Sequence, residues 1–150
     1  MIKKYLLPLF AAFILFLGLV FYNYLQAQKA IQETRPAPLG ISFVSYPQDI
    51  FAGSRGSFIW NIVASPDLKT TFTTIYWGYE SSPSALTLLD SPQAVGYPNF
   101  QTDYSTGIFS LPGSFDQNIT FDKPGRVFFR AYAKVKDNHL WSEEENLLVK

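Results

Sequence analysis

The sequence predicts a mainly β protein, an antiparallel β-sandwich preceded by one long N-terminal α-helix. Two observations predict this architecture. The first is an uncharged and almost wholly apolar run from Tyr5 to Tyr22. The second is a change of period from Leu39 onward, where apolar and polar residues alternate in short runs between turn-forming residues, which is typical of a sandwich of short strands.

The apolar run is long enough to cross a membrane. As an α-helix, residues 5–22 reach roughly 27 Å, close to the hydrocarbon thickness of about 30 Å. The run has no polar face, which a helix on the surface of a globular protein requires. Tyr22 and Tyr24 follow it, where amphipathic rings favour the membrane interface. We therefore expect a transmembrane helix over residues 5–24.

The charges around this helix predict its orientation. Lys3 and Lys4 favour a cytoplasmic N-terminus, whereas Lys29 and Arg35 on the other side weaken that bias. We expect residues 1–4 in the cytoplasm and the C-terminal part in the periplasm or at the cell surface. The chain is then a single-pass membrane protein in contact with lipid.

A cleaved signal peptide is the alternative for the same segment. Signal peptides have an apolar region of about 7–15 residues followed by an A-x-A-like site. The run here is longer, and Leu25 and Gln28 occupy the −3 positions before Ala27 and Ala30. An uncut helix is the favoured interpretation. The absence of cysteine excludes a lipid attached through that residue.

Residues 25–38 are predicted to form a helical stalk and a proline linker. The stretch NYLQAQKAIQET contains neither Gly nor Pro, and RPAP follows it. Proline removes a backbone donor and pushes the preceding residue towards extended geometry. The helix should therefore end near Arg35.

Residues 39–150 are long enough for one domain with its own core. After Arg35 the chain carries eight basic and eleven acidic residues, so the domain lacks the basic surface that nucleic-acid binding requires. With no cysteine, disulfides, zinc–thiolate sites, iron–sulfur clusters and cysteine nucleophiles are excluded.

Alternation predicts the strands in order. The predicted strands are GISFVSYP, SFIWNIVAS, TTFTTIYWGYE, VFFRAYAKV and LWSEEENLLVK, with ALTLLD, GIFSLPG and NITFD as short strands between them. In VFFRAYAKV, one face carries only apolar residues, which are Val127, Phe129, Ala131, Ala133 and Val135. KDNH should form a hairpin turn after this strand.

The stretch GRVFFRAYAKVKDNHLWSEE resembles the last hairpin of fibronectin type III and related immunoglobulin-like domains, and Trp60 is similar to the tryptophan of their second strand. The resemblance extends over Leu39 to Lys150. It implies a sandwich used for binding or spacing rather than catalysis, although this fold carries many roles. The chain departs from it by lacking the cysteine pair, and the segment from Ser84 to Phe121 is longer than the simplest version needs.

Conventional catalytic and metal sites are not expected. His139 is the only histidine, and it falls in the predicted hairpin turn, where solvent exposure is the favoured interpretation over a hydrolase base. DQNITFD lacks the turn glycine and bidentate glutamate of a calcium loop. Glu143, Glu144 and Glu145 are expected to form a solvated acidic edge. We predict no catalytic residue, no metal and no cofactor.

Aromatic residues give the candidate ligand contacts. Tyr97, Phe100 and Tyr104 are spaced by turn residues in VGYPNFQTDYSTG. Exposed rings on a loop stack on sugars or bind a protein partner, but folding back over the core is the favoured alternative, as it is for the rings of IYWGYE. Asn118 begins an N-I-T glycosylation triplet, which the sequence alone leaves open.

Three functional hypotheses follow. The first is a non-catalytic interaction module, an accessory or structural subunit of a membrane or cell-surface assembly, with Ala11, Ala12 and Gly18 as helix-packing positions. The second is a pilin-like filament subunit, although the early glutamate and short leader of such proteins are missing. The third is a small carbohydrate-binding domain. An enzyme is not expected.

Overall fold

The computed structural model describes the backbone of residues 3–33, 38–82 and 84–150, and the side chains of residues 13–29, 38–82 and 84–150. The chain divides into two compact units, Met1–Pro36 and Ala37–Lys150. The elements are α1 Lys3–Glu33, β1 Gly40–Ser45, β2 Asp49–Ile50, β3 Arg55–Val63, β4 Lys69–Gly78, α2 Pro92–Val95, β5 Asn99–Phe100, β6 Phe109–Ser110, β7 Gly113–Thr120, β8 Gly125–Val135, β9 Asn138–Trp141 and β10 Glu145–Val149.

The first unit is one helix, α1, of 31 residues. Its described large apolar side chains, from Phe13 to Leu25, are between 49% and 72% exposed. The predicted membrane span begins in residues 5–12, whose side chains lie outside the described part. Among the residues that the structure describes, no helix meets both the length and the hydropathy that crossing a membrane requires.

The second unit is a β-sandwich. A three-stranded sheet has the order β1-β3-β7, and a larger sheet of seven strands has the order β2-β10-β8-β4-β5, with β6 on β4 and β9 on β8. All pairings are antiparallel except that of β2 with β10. One sheet thus contains β1, β3 and β7, and the other contains β4, β8 and β10. Immunoglobulin-like sandwiches divide their strands A, B, E and C, F, G between two sheets in the same way. The prediction of an antiparallel immunoglobulin-like sandwich is confirmed at this level.

The core lies between the inner faces of the two sheets. Alternation places Phe58, Trp60 and Ile62 of β3 opposite Phe129 and the other inward residues of β8, all buried. This is the apolar face that the sequence predicts for β8.

A buried hydrogen bond also joins the two sheets. Trp60 Nε1 donates to Thr73 Oγ1 at 2.9 Å. The Thr73 hydroxyl donates in turn to the Tyr132 carbonyl at 2.7 Å. The indole therefore sits in the core with its polar group paired, as burial of a Trp side chain requires.

Several local predictions were wrong. ALTLLD forms a turn rather than a strand, because its Thr and Asp side chains bond the backbone. The β8–β9 turn consists of Lys136 and Asp137, and Lys136 has a positive φ of 53°. The next two residues already pair with β8, so His139 lies in β9 and not in a turn.

The acidic stretch also differs from its prediction. Glu143 and Glu144 lie between β9 and β10, Glu145 begins β10, and only Glu143 of the three is exposed. Glu145 accepts a hydrogen bond from the Tyr46 hydroxyl at 2.6 Å. The expectation of a solvated acidic edge therefore holds for one residue, because tertiary partners cover the other two.

Candidate functional site

The outer face of the larger sheet is aromatic rather than polar. Register places Tyr132 of β8 between Thr74 of β4 and Trp141 of β9. The Tyr132 ring centroid lies 5.5 Å from that of Tyr76 and 4.6 Å from that of Trp141. These rings form a second, smaller core that also contains Phe72, Val95, Tyr97 and Phe128. A sheet face this apolar has to be covered.

Residues 79–82 and 84–98, here called the cover segment, supply that cover. Tyr97 and Val95 of the segment pack into the second core. Gly78 permits the close return of the chain, because a Cβ there would lie 3.0 Å from Pro98 Cδ. The cover segment therefore follows the outer face instead of projecting from it.

Arg130, in the middle of β8, holds the beginning of the cover segment. Its side chain is 3% exposed. One terminal nitrogen, Nη2, donates to the carbonyls of Ser82 and Ser84 at 2.9 and 3.2 Å, and Nη1 donates to the Ser142 carbonyl at 2.9 Å. The two terminal nitrogens thus pair with backbone acceptors of the cover segment and of Ser142, as a buried cation requires.

The Glu144 carboxylate also holds the cover segment. Its carboxylate accepts hydrogen bonds from Ser81 Oγ at 2.5 Å, from the Ser82 N–H at 2.7 Å and from the Tyr97 hydroxyl. Desolvation alone would raise the pKa of Glu144, but these hydrogen bonds and the charge of Arg130 outweigh it and lower that pKa. Desolvation, followed by the bond to Glu144, raises the pKa of Tyr97.

The middle of the cover segment is a turn of residues 87–90, here called the docked turn. Asp90 Oδ2 accepts from the Thr87 N–H at 2.6 Å and from the Thr87 hydroxyl at 2.8 Å. These bonds lower the pKa of Asp90. They also close the turn locally, in the way Asx and Ser/Thr turns do.

Two further bonds fix the docked turn to β9. The His139 N–H donates to the Leu88 carbonyl at 2.9 Å. The indole Nε1 of Trp141 donates to the Asp90 carbonyl at 2.8 Å. The turn is thus held both internally and against the sheet.

The docked turn presents two leucines to solvent. Leu88 is 46% exposed and Leu89 is 85% exposed. Beside them is a groove of about 510 Å³, lined mainly by apolar side chains that include Leu39, Ile41, Leu86, Leu140 and Trp141. Exposed apolar residues on a rigid support are typical of protein-interaction surfaces.

His139 is one of the residues that line this groove. Its Nε2 is 3.2 Å from Lys134 Nζ, and its Nδ1 is 2.7 Å from the Tyr132 hydroxyl. An ammonium group only donates, so Nε2 accepts and Nδ1–H donates to Tyr132. Desolvation and the charge of Lys134 lower the pKa of His139. Its partners are therefore a lysine and a tyrosine, not the serine and carboxylate of a hydrolase triad.

The three predicted aromatic contacts lie in different places. Tyr97 is buried in the second core, and Tyr104 packs in the main core with Trp60, its ring centroid 6.2 Å away. Phe100 is 46% exposed, and its ring centroid lies 5.1 Å from that of Tyr76. The structure does not bring the three together at one surface.

The structure describes few contacts of the predicted helix-packing positions. Ala11 and Ala12 lie outside the residues whose side chains are described. A Cβ on Gly18 would meet no atom within 4 Å. Among residues 13–29, 38–82 and 84–150, no group of three or more His, Asp or Glu side chains is placed to hold a metal ion.

The sequence contained one signal for the docked turn. TLLD places Thr and Asp three residues apart, a spacing that allows both side chains to bond the turn backbone. The alternation of ALTLLD favoured a strand instead. Nothing local indicates that Arg130 and Glu144 are partners of the cover segment, because those contacts join residues 46 to 63 positions apart.

No family model matches the chain, and no curated protein matches it. Among solved structures, the chain is similar to a PKD domain of an M14-like peptidase from a Thermoplasmatales archaeon, with 17% sequence identity and a TM-score of 0.45. The match covers 77% of this chain and 94% of that domain. The immunoglobulin-like assignment given above rests on the order of the strands.

Proposed function

We propose that this chain is a membrane-anchored interaction module, in which α1 holds a β-sandwich at the membrane and the docked turn binds a protein partner. The observation that carries the second half is the pair Leu88 and Leu89, exposed on a turn that four hydrogen bonds hold in place. A preorganised apolar contact loses little conformational entropy on binding.

Support for the membrane half comes from α1. Apolar side chains from Phe13 to Leu25 are exposed on all sides of the helix, and lipid is the environment that such a helix favours. The sequence of residues 5–22 has the length for a span. The second unit has its own core, which suits a domain that folds outside the bilayer.

Extraction of membranes at alkaline pH tests the anchor. The full chain is expected to stay in the membrane pellet, and a Leu15→Arg, Leu19→Arg double variant to be released, since each central arginine costs about 2.5–3.5 kcal/mol of insertion free energy. A Gln26→Arg, Gln28→Arg variant is the matched control and is expected to stay. A wild-type chain in the supernatant would contradict the anchor.

Intact mass of the same preparation distinguishes the alternatives for processing. An uncut chain agrees with the anchor. A mature N-terminus near Gln28 would indicate a cleaved signal, and one within the first ten residues would favour the pilin-like alternative. Protease treatment of cells whose outer envelope has been removed tests the proposed orientation, because only a domain outside the cytoplasmic membrane is then digested.

Co-purification from mild detergent tests the partner surface. Leu89→Ser is expected to reduce partner recovery at least about tenfold, as truncation of an interface hot spot does. Leu148→Ser is the matched control, because Leu148 is a leucine on β10 with 40% exposure. Equal recovery with both variants would contradict the docked turn as the contact.

A carbohydrate-binding function is the second candidate, and Phe100 is the observation that favours it. Its half-exposed ring lies beside the partly buried Phe72, with 6.2 Å between centroids. Aromatic faces of this kind stack on sugar rings. Binding to a glycan array that a Phe100→Ser variant loses, and a Leu89→Ser variant keeps, would favour this candidate.

A further inference from the structure

Strand β7 leaves one edge of the three-stranded sheet open. It pairs with β3 continuously from Gly113 to Thr120 and with no other described strand. In an antiparallel strand, every second residue directs its N–H and C=O to the same side. Half of the eight residues of β7 therefore direct these groups away from the sheet, and no described backbone group bonds them.

The other sheet edges are protected in ways that β7 is not. On the opposite edge, β1 has an irregularity between Phe43 and Ser45. In the larger sheet, β2, β5 and β6 have only two residues each. The free side of β9 is bonded by the carbonyl of Leu88. These are devices that prevent strand addition.

β7 has none of these devices. It is eight residues long, contains neither proline nor lysine, and shows no shift of register against β3. Its outer face carries Ser114, Asp116, Asn118 and Thr120, all exposed. An edge of this length and regularity is a template for another strand.

We propose that β7 is an association surface for a second copy of this chain, through antiparallel pairing of the two β7 strands about a two-fold axis at Gln117. Such an interface is self-complementary and closed. It is independent of the membrane anchor and of the docked turn.

The side chains of β7 select this register. In an antiparallel pair, directly opposed residues lie on the same face of the sheet. If the inner faces of both sandwiches are to lie on the same side, odd-numbered residues must oppose odd-numbered ones and even-numbered residues even-numbered ones, so the two residue numbers have an even sum. Two such registers pair seven residues. One centres on Asp116 and opposes two carboxylates, which is unfavourable.

The register centred on Gln117 avoids that repulsion. On the outer face, it opposes Asp116 to Asn118 of the second copy, and Ser114 to Thr120. On the inner side, it opposes Phe115 to Ile119. Every pair is therefore polar with polar or apolar with apolar.

Disulfide trapping tests the register, because the chain has no cysteine of its own. Full chains carrying Asp116→Cys and Asn118→Cys are co-expressed in membranes and oxidised. Cα atoms directly opposite lie about 4.5–5.5 Å apart, within the range a disulfide spans. The mixed dimer is expected to form, and a Ser114→Cys, Thr120→Cys mixture is expected to do the same.

Two controls define the contradicting outcomes. Asp116→Cys alone is expected to cross-link poorly, since the two cysteines would lie two residues out of register. Asn61→Cys, exposed on the central strand β3, is expected not to cross-link. No mixed dimer, or equal yields with Asn61→Cys, overturns the proposal, and dominant cross-linking of Asp116→Cys alone overturns the register.

Charge at position 118 gives an independent measurement. With the full chain in detergent, Asn118→Asp is expected to weaken dimerisation about three- to tenfold, and Asn118→Lys to strengthen it by a similar factor. In the dimer, residue 118 of each copy faces Asp116 of the other, so each substitution changes two charge contacts. Both variants remove the N-I-T triplet, so glycosylation cannot account for a difference between them. Identical dimerisation of the two variants contradicts pairing at this edge.

Discussion

The two faces of the larger sheet differ in what covers them. The inner face is buried by the other sheet, and it carries apolar residues such as Val127, Phe129 and Ala131. The outer face is buried by the cover segment, and it contains Arg130 and a polar network. Burial on the inner face follows from the hydrophobic effect, whereas on the outer face aromatic packing is combined with specific hydrogen bonds.

This difference supports the proposal that the outer face carries the contact surface. A segment held by a few strong contacts can carry exposed residues, such as Leu89, without weakening the main core. The inner face has no such freedom, because interior packing leaves few voids. The following variants test whether the two faces respond differently.

The largest expected effect is on the inner face. Phe129→Ala should lower the free energy of unfolding by about 3–5 kcal/mol, because it leaves a cavity among buried rings. Its ring centroid lies 5.2 Å from those of Phe43, Tyr46 and Phe58. Denaturant unfolding followed by tryptophan fluorescence measures the change, and a loss below about 1 kcal/mol would contradict this packing.

The next effect is on the outer face. Arg130→Met should cost about 2–3 kcal/mol, since it leaves carbonyls of the cover segment unpaired. Hydrogen exchange should increase within residues 79–98 and not in β3. Arg126→Met is the matched control on the same strand, because Arg126 is exposed, and it should change stability by less than about 0.5 kcal/mol. Exchange that rises equally across both sheets would argue against local attachment.

A smaller effect depends on pH. Because hydrogen bonds lower the pKa of Glu144 in the folded state, its stabilisation is present above the unfolded pKa and is lost as pH falls through the folded pKa. Glu144→Gln should therefore cost about 1 kcal/mol at neutral pH, after allowance for solvent screening. The difference from wild type should begin to shrink below the ordinary glutamate pKa of about 4.3 and vanish once the pH lies below the lowered folded pKa.

The neighbouring glutamate provides the control for this pH dependence. Glu143 is exposed, so Glu143→Gln should leave the pH dependence of stability unchanged. Unfolding curves measured at several pH values give both comparisons. A Glu144→Gln effect that persists unchanged at low pH would show that it does not arise from the carboxylate charge.

The smallest effect belongs to the half-exposed rim of the outer face. Phe100→Ser should cost less than about 1 kcal/mol, because much of the ring is already in water. Thermal unfolding measures it against Phe129→Ala. A loss as large as that of the inner-face variant would mean that the two faces are equally packed and that the comparison fails.

Much of the sandwich could be predicted from alternation alone. The strands around Phe58, Ile75 and Phe129 were located because an inward residue at every second position leaves a local pattern. The covering of Arg130 and Tyr132 was not predicted, since their side of β8 alternates like a solvent-facing surface. Arg130 is buried by contacts that include the carbonyls of Ser82 and Ser84, which are more than 40 positions away.

The candidate site was harder to predict for the same reason. ALTLLD alternates like a strand, but the Asp90 and Thr87 side chains accept hydrogen bonds from backbone N–H groups, and the segment docks on β9 through Trp141. Tyr97 and Tyr104 were singled out by type and spacing, and each packs into a different core. Spacing along the chain does not encode which of two cores a ring enters.

The sequence by itself determined the helical first unit, the fold class of the second, and the apolar face of each long strand, because these depend on periodicity within a few residues. Only the tertiary structure decided which polar residues are buried, where the leucines of the docked turn are exposed, and which sheet edge stays open. Those features depend on long-range contacts, for which the chain carries no local pattern.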